Sequence, residues 1–299
     1  MERFASTPPP GKLLEFETQC GRTRKVNRVL LAFFKVLLAA TALAAGLSSA
    51  RAGEVESATD LAKMTQNPVA DLISVPLESN FNFDTGGKDS MVYVLNVQPI
   101  IPFHLNKHWN LITRTILPVI NQPSLFSGQR SASGLGDINP SLFLSPAQSG
   151  SFMWGIGPTF TLPTATSSLL GSDRFSLGPA VAALTIQGPW LLGVLVNDQW
   201  SVTGWGEKPA LNQMLLEPFA NYNFGEGWHL SSELIMTANW EANAGQRWTV
   251  PVGGGMGKLI KFGMLPIDAT WEAYWNVERP AYAAHWQLRF RITLLLPRF

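Results

Sequence analysis

The C-terminal stretch of the chain alternates between polar and apolar side chains with a period of two. Its polar positions are His285, Gln287, Arg289, Arg291 and Thr293, and its apolar positions are Trp286, Leu288, Phe290, Ile292, Leu294 and Leu296. Because successive side chains of a β-strand point to opposite faces, this pattern predicts a strand with two different environments. A soluble sheet also produces it, but long strands of this kind, repeated behind a secretory signal, are typical of an outer-membrane β-barrel.

The alternation recurs along most of the chain and divides it into about twelve strand-like segments, a number within the range of such barrels. An even number of antiparallel strands returns both ends of a barrel to one side of the membrane, taken here as the periplasm. We therefore predict an all-β fold, a transmembrane antiparallel β-barrel of about twelve strands over residues 72–299. The segments are Leu72–Phe83, Met91–Ile101, Trp109–Pro118, Asp137–Ser145, Phe152–Leu162, Phe175–Ile186, Pro189–Trp200, Leu211–Phe224, Trp228–Trp240, Arg247–Lys261, Leu265–Val277 and His285–Arg298.

The lengths of the connections give an independent test of this fold. With both ends in the periplasm, the odd-numbered connections face outward, and they are longer on the whole than the even-numbered ones. Long outer loops and short periplasmic turns characterise outer-membrane barrels, whereas a soluble sandwich has no reason to alternate in this way. The longest predicted connection, Val119–Gly136, is rich in Ser, Gly and Gln, and we expect it to be an exposed outer loop.

The first 52 residues have the features of a secretory signal peptide with an extended n-region. Basic residues between Arg22 and Arg28 precede an apolar stretch, Val36–Leu47, and Ala50-Arg51-Ala52 forms a small-x-small cleavage site. An uncleaved anchor helix is the alternative, although Lys35 interrupts the apolar run. The only cysteine of the chain, Cys20, lies in this segment, so the mature chain is predicted to form no disulfide.

Residues 53–71 are predicted to contain a short helix. Residues 57–60 resemble a helix N-cap, Leu61 and Met64 share one helical face, and Asn67-Pro68 should end the helix. This segment could plug the lumen or lie in the periplasm, and we expect the second.

Composition supports a barrel without excluding a soluble all-β sandwich. The chain is 46% hydrophobic but only 14% charged, and its mean hydropathy is +0.09. Soluble domains usually have about 25% charged residues. Many tryptophans fall near predicted strand ends, as expected for aromatic girdles at the two membrane–water boundaries: Trp109, Trp154, Trp190, Trp228, Trp240, Trp248 and Trp275.

The predicted mature chain is mildly acidic. The first 52 residues carry eight Lys/Arg and three Asp/Glu, so their removal changes the net charge from +1 to −4. No basic field for nucleic acid remains. The run Gly253-Gly254-Gly255 lacks the Lys-Ser/Thr and the helix of a phosphate-binding loop, and a bulge or bend in a strand is expected there. We predict no cofactor.

Charged residues fall at positions that the alternation assigns to the barrel interior. Ionised groups in a membrane-spanning protein need water or partners, so they either brace the wall as ion pairs or form a ring that selects solutes. The candidate lumen-lining residues are Arg114, Glu217, Glu233, Asp268, Glu272, Arg289 and Arg291. Small inward residues on the fifth strand are expected to leave lumen volume: Gly155, Gly157, Thr159 and Thr161.

Several stretches resemble a bacterial family of outer-membrane transporters that is linked by name to the meta-pathway of phenol degradation, some of whose members carry the label neuromedin U. They are Gly134-Leu135-Gly136-Asp137, PTFTLPT from Pro158, SLGPA from Ser176, Gly188-Pro189-Trp190, GVLVNDQWS from Gly193, NQMLLEPFANYNF from Asn212, WTVPVGGG from Trp248 and WQLRF from Trp286. The resemblance spans most of the predicted mature chain. It implies transport of hydrophobic or aromatic compounds across the outer membrane, and it assigns no functional residues.

We therefore expect a passive channel or facilitator in the cell outer membrane, in contact with lipid, the barrel-assembly machinery and a small-molecule solute. The terminal Phe299 is similar to the signal that this machinery reads, although it lies out of phase after Pro297. A structural or adhesion barrel is the main alternative. An enzyme needs cooperating groups, but His229 and His285 are predicted at opposite membrane faces. His104 and His108 share a predicted turn without a third metal ligand.

Overall fold

The computed structural model describes residues 62–64, 66–67, 72–148, 150–204, 208–262 and 265–296. The predicted signal peptide, Met1–Ala52, lies outside the described residues, as does most of the predicted segment 53–71. Phe299 also lies outside them, so its recognition by the assembly machinery stays a prediction.

Twelve strands make up the described part of the chain, and three of them are interrupted. A 3-10 turn at Ala244–Gln246 and one helical turn at residues 62–64 accompany them. Among the described residues, no helix has both the length and the apolar content needed to cross a bilayer. The strands are β1 (Ile73–Thr85), β2 (Ser90–Val97 and Ile100–His104), β3 (Trp109–Gln122), β4 (Ala132–Leu135 and Asn139–Pro146), β5 (Phe152–Thr161), β6 (Arg174–Gln187), β7 (Trp190–Gly204), β8 (Asn212–Gly225), β9 (Trp228–Glu233 and Met236–Asn239), β10 (Trp248–Phe262), β11 (Leu265–Glu278) and β12 (Trp286–Leu296).

The sheet closes on itself. Each strand pairs antiparallel with its neighbours in sequence, and β1 pairs with β12 from Ile73 opposite Leu296 to Phe83 opposite Trp286. Closure leaves no open edge, which is the condition for a sheet to span a bilayer. The predicted fold, a twelve-strand antiparallel barrel, is confirmed.

The apolar faces of the strands point outward and the polar faces point inward. On β12, Phe290 and Ile292 are 49% and 46% exposed, whereas Arg289 on the inward face of the same strand is 2% exposed. On β11, Trp271 is 52% exposed and the adjacent Glu272 is 1% exposed. A soluble sheet buries its apolar face, so this inverted arrangement indicates that lipid surrounds the barrel.

The connections also alternate in length as predicted. Turns of two to five residues join the strands at the end where β1 begins and β12 ends, and connections of four to twelve residues join them at the other end. Three details differ from the prediction. β3 continues to Gln122 and β4 begins at Ala132, so only residues 123–131 of the predicted loop Val119–Gly136 lie outside strands. The connection 162–173 is longer, and His104 belongs to β2 rather than to a turn.

Aromatic rings pair near both ends of the barrel wall. Trp109 meets Trp154 edge to face with ring centroids 6.0 Å apart, and Trp190 meets Tyr222 at 4.8 Å. At the opposite end, Trp240 and Trp248 meet at 5.6 Å and Phe83 stacks on Trp286 at 4.0 Å. These positions agree with the expected girdles.

Apolar side chains fill part of the lumen. Residues of β2, β3, β4, β6, β7 and β8 pack there into a cluster whose members are at most 7% exposed: Ile100, Ile112, Phe143, Ala180, Ala182, Leu184, Leu191, Leu195 and Phe219. The expectation that Gly155, Gly157, Thr159 and Thr161 leave volume on β5 is wrong. Thr159 is fully buried, and a Cβ added to Gly157 would lie 1.9 Å from the carbonyl oxygen of Leu142. The small residues instead allow β4 and β5 to approach closely.

Candidate functional site

The last strands bring two arginines and three glutamates together inside the barrel. Arg289 Nη1 lies 3.5 Å from Glu272 Oε2 and 3.7 Å from Glu233 Oε2, and its Nε lies 3.9 Å from Glu78 Oε1. Arg291 forms an ion pair with Glu233 and lies 3.9 Å from both Glu78 and Glu272. We call these five residues the ion cluster. Four of them are sequence-predicted candidates, and Glu78 joins them from the inward face of β1.

Neutral side chains complete the ion cluster. Arg289 stacks on the ring of Tyr274, with its Cζ 4.7 Å from the ring centroid, and its Nε donates to Asn80 Oδ1 at 3.3 Å. Ser231 Oγ donates to Glu272 Oε1 at 2.7 Å, and the Asn80 amide donates to Glu78 Oε1 at 2.8 Å. Buried charges are tolerated only with such partners, because removing them from water is costly. The alternation on β11 could have identified Tyr274, which shares the inward parity of Glu272.

A second ion pair crosses the lumen. Arg114 Nη1 lies 3.7 Å from Glu217 Oε2, and Arg114 Nη2 donates to Gln98 Oε1 at 3.0 Å. Arg114 is on β3 and Glu217 is on β8, five strands apart around a ring of twelve, so this pair joins nearly opposite walls. The sequence predicted both residues as inward-facing, but it could not predict their contact.

The remaining candidate, Asp268, lies close to a histidine. Its Oδ2 is 3.7 Å from His229 Nε2, and the Thr270 hydroxyl is 3.4 Å from the same nitrogen. A Ser/Thr–His–acid triad needs the acid and the hydroxyl on opposite ring nitrogens, so these three groups do not form one. His285 contacts Arg279 at the other end of the barrel. Among the described residues, no group of three His, Cys, Asp or Glu side chains is arranged to hold a metal ion.

A small cavity of about 60 Å³ lies in the lumen between charged and apolar side chains. Ion-paired side chains, including Arg114, Glu217 and Arg291, line one part of it, and Ile100 and Phe219 line another. A cavity of this volume holds roughly five waters, because each water needs about 10–15 Å³. The lumen is therefore narrow and amphipathic.

N-terminal residues contact the lumen rather than lying apart from the barrel. Ala62 is fully buried against Leu259 and Leu295, which are inward-facing residues of β10 and β12. Gln66 Nε2 donates to Asn223 Oδ1 at 3.2 Å, and Gln66 also lines the cavity. For these described residues, the expected position in the periplasm is wrong.

The fold has counterparts among solved structures. An outer membrane channel from Pseudomonas putida F1 matches with a TM-score of 0.59 and 14% sequence identity, over 83% of this chain and 100% of that chain. The chain has the fold of an outer-membrane β-barrel. The NanC porin matches this barrel with a TM-score of 0.51 and 9% identity, over 75% of this chain and 100% of the porin.

A weaker match is the monoaromatic hydrocarbon channel CymD, with a TM-score of 0.43 and 12% identity over 84% of this chain and 95% of that chain. No family model matches the sequence. No curated protein matches it either. At identities this low, the structural similarity establishes only the fold. The evidence for function therefore comes from the residues of the lumen.

Proposed function

We propose that the protein is a passive channel or facilitator that lets small hydrophobic or aromatic molecules cross the outer membrane. The observation that carries this proposal is the amphipathic cavity between the ion cluster and the apolar side of the lumen. A compact aromatic solute would lie along Ile100 and Phe219 with its polar substituent towards Arg114 and Glu217. Because a cavity that holds benzene measures about 150 Å³, the lining side chains would have to move to admit it. Ionised groups inside a membrane protein are functional candidates by default, because they are costly to keep there.

The proposal includes roles for the candidate lumen-lining residues and for the partners. Arg114, Glu217, Glu233, Glu272, Arg289 and Arg291 would shape the permeation path, and Asp268 with His229 would lie near its periplasmic end. Lipid surrounds the barrel, and the assembly machinery would insert it. Membership of the family linked to the phenol meta-pathway is part of the proposal. It is supported by motifs such as PTFTLPT from Pro158 and WTVPVGGG from Trp248, and by the likeness to an outer-membrane channel.

A structural barrel without transport is the second candidate. It is favoured by the ion pairs that brace the wall and by the apolar cluster that fills part of the lumen. An enzyme has less support. Asp268 and Thr270 both lie against the same ring nitrogen of His229, whereas a catalytic triad needs them on opposite nitrogens.

Solute uptake into proteoliposomes tests the proposal, with small aromatic alcohols, aromatic acids and sugars compared. Purified protein should accelerate uptake of small aromatic solutes over sugars of similar mass. The double variant Arg289→Ala with Arg291→Ala should be less stable, because it removes buried ion pairs. It should still fold by the heat-modifiability assay and should change the order of solutes or the ion selectivity. Uptake at the rate of empty vesicles for every solute would rule out transport and leave the structural candidate.

A further inference from the structure

The wall of the barrel is interrupted between β9 and β10. The two strands pair from Trp228 opposite Lys258 to Ser231 opposite Gly255, and they pair again at Thr237 opposite Thr249. Across the described stretch between these ladders, residues 233–236 form no pair with residues 250–253. We call this interruption the wall gap.

The wall gap is an interruption of the ladder that no bulge between β9 and β10 explains. A bulge adds a residue to one strand and shifts the register, but the register of β9 and β10 is the same on both sides of the gap. Meanwhile β9 stays attached to β8, with Glu233 opposite Phe219 and Met236 opposite Leu216. The ladder between β9 and β10 is therefore interrupted without a change of register.

Side chains replace the hydrogen bonds that the ladder lost. The Glu233 N–H donates to the Tyr274 hydroxyl at 3.0 Å, and Arg289 Nη1 donates to the Glu233 carbonyl at 3.3 Å. The Ser232 hydroxyl donates to the Gly253 carbonyl at 2.7 Å and closes one end of the gap. A freed peptide group in lipid costs several kcal/mol. Arg289 of the ion cluster, together with Tyr274 and Ser232, thus bonds the peptide groups of Glu233 and Gly253 at one end of the gap.

Apart from Glu233, the side chains that border the wall gap are apolar. Leu234, Ile235 and Met236 border it on β9, and Val250, Pro251 and Val252 border it on β10. Proline has no N–H to donate and is normally confined to unpaired edges or bulges. Pro251 lies at the register shift of β10 against β11, beside the unpaired stretch. On the lipid side, Val252 also lines a shallow groove of about 330 Å³ together with Trp275 and Trp286.

We propose that the wall gap is a lateral portal through which apolar solutes pass between the lumen and the surrounding lipid. The inference rests on the proposed transport function and adds a route to it. Apolar molecules partition into lipid. A largely apolar gap within the membrane would let them pass between lipid and lumen without crossing the outer end of the barrel. The ion cluster borders the gap on the lumen side through Glu233 and Arg289, and it would direct charged solutes along the barrel axis instead.

A cross-link across the wall gap tests the portal. Leu234→Cys with Val252→Cys places two thiols on facing rims, and the matched control, Leu230→Cys with Met256→Cys, places them on residues that pair in the intact ladder. The only native cysteine, Cys20, lies in the predicted signal peptide. A short bis-maleimide is added to folded protein on intact cells, so the unlinked sample of each variant controls for folding. Uptake of N-phenyl-1-naphthylamine and ion conductance in planar bilayers are then measured.

Linking the gap should reduce dye uptake to that of cells without the protein and leave ion conductance unchanged, while the linked control keeps both. A bulky maleimide on Leu234→Cys alone, compared with Leu230→Cys, should give the same selective loss without a cross-link. Dye uptake that survives both treatments would overturn the portal, whereas the proposed transport function would stand. Absence of both dye uptake and conductance in the native protein would overturn the proposed function and the portal with it.

Discussion

The substitution Arg289→Ala should strongly destabilise the barrel. Arg289 is 2% exposed, and its guanidinium lies within 4 Å of carboxylate oxygens of Glu78, Glu233 and Glu272. Its removal leaves three buried carboxylates with Arg291 as the remaining guanidinium of the ion cluster. Breaking a buried ion pair costs about 3–5 kcal/mol because the surviving charge stays buried without compensation. We therefore expect a loss of about 4 kcal/mol, or roughly a thousandfold in the folding equilibrium.

Reversible guanidinium unfolding in phospholipid vesicles, followed by tryptophan fluorescence, measures this loss. The matched control is Arg130→Ala, since Arg130 is exposed in the connection 123–131 and its loss should change the free energy of unfolding by only about 0.5 kcal/mol. An Arg289→Ala variant within about 1 kcal/mol of the native protein would refute the bracing role, because a buried, multiply paired guanidinium cannot be removed so cheaply.

Three further predictions concern the lumen, the packing and the topology. Arg114→Ala removes the bridge to Glu217 across the lumen and should raise single-channel conductance; an unchanged conductance would place this pair away from the permeation path. Gly178→Ala should prevent folding, because its Cβ would lie 1.7 Å from a backbone oxygen, while Gly150→Ala, with no atom within 4 Å of the added Cβ, should fold normally in a heat-modifiability assay. An epitope tag near Ser131 should be detected by antibody on intact cells, and detection only after permeabilisation would invert the predicted topology.

The alternation of side chains was sufficient to predict the barrel and the orientation of its charges. The pattern on β12 predicted that Arg289 and Arg291 face inward, and the structure buries Arg289 there. Alternation could not predict which charges meet. Glu233 reaches both arginines from three strands away, because the curvature of the closed sheet brings β9 towards β12. Such contacts depend on three-dimensional closure, which a period of two does not encode.

The apolar side of the lumen was missed for a different reason. In the run from Leu191 to Val196 both faces of β7 are apolar, so alternation cannot distinguish the lipid side from the lumen side. Leu191 and Leu195 prove to be inward and almost fully buried. The bulge or bend expected at Gly253-Gly254-Gly255 does not lie there, because these residues pair in regular register with β11. The register shift of this strand lies between Val250 and Pro251.

Single-channel recording of the purified barrel in a planar lipid bilayer tests the central claim most directly, because the claim is that the lumen conducts. The narrow amphipathic lumen predicts small, discrete conductance steps that a small aromatic solute reduces when it occupies the cavity. Folded, heat-modifiable protein that inserts and gives no step, with or without solute, would contradict the channel and identify a structural barrel.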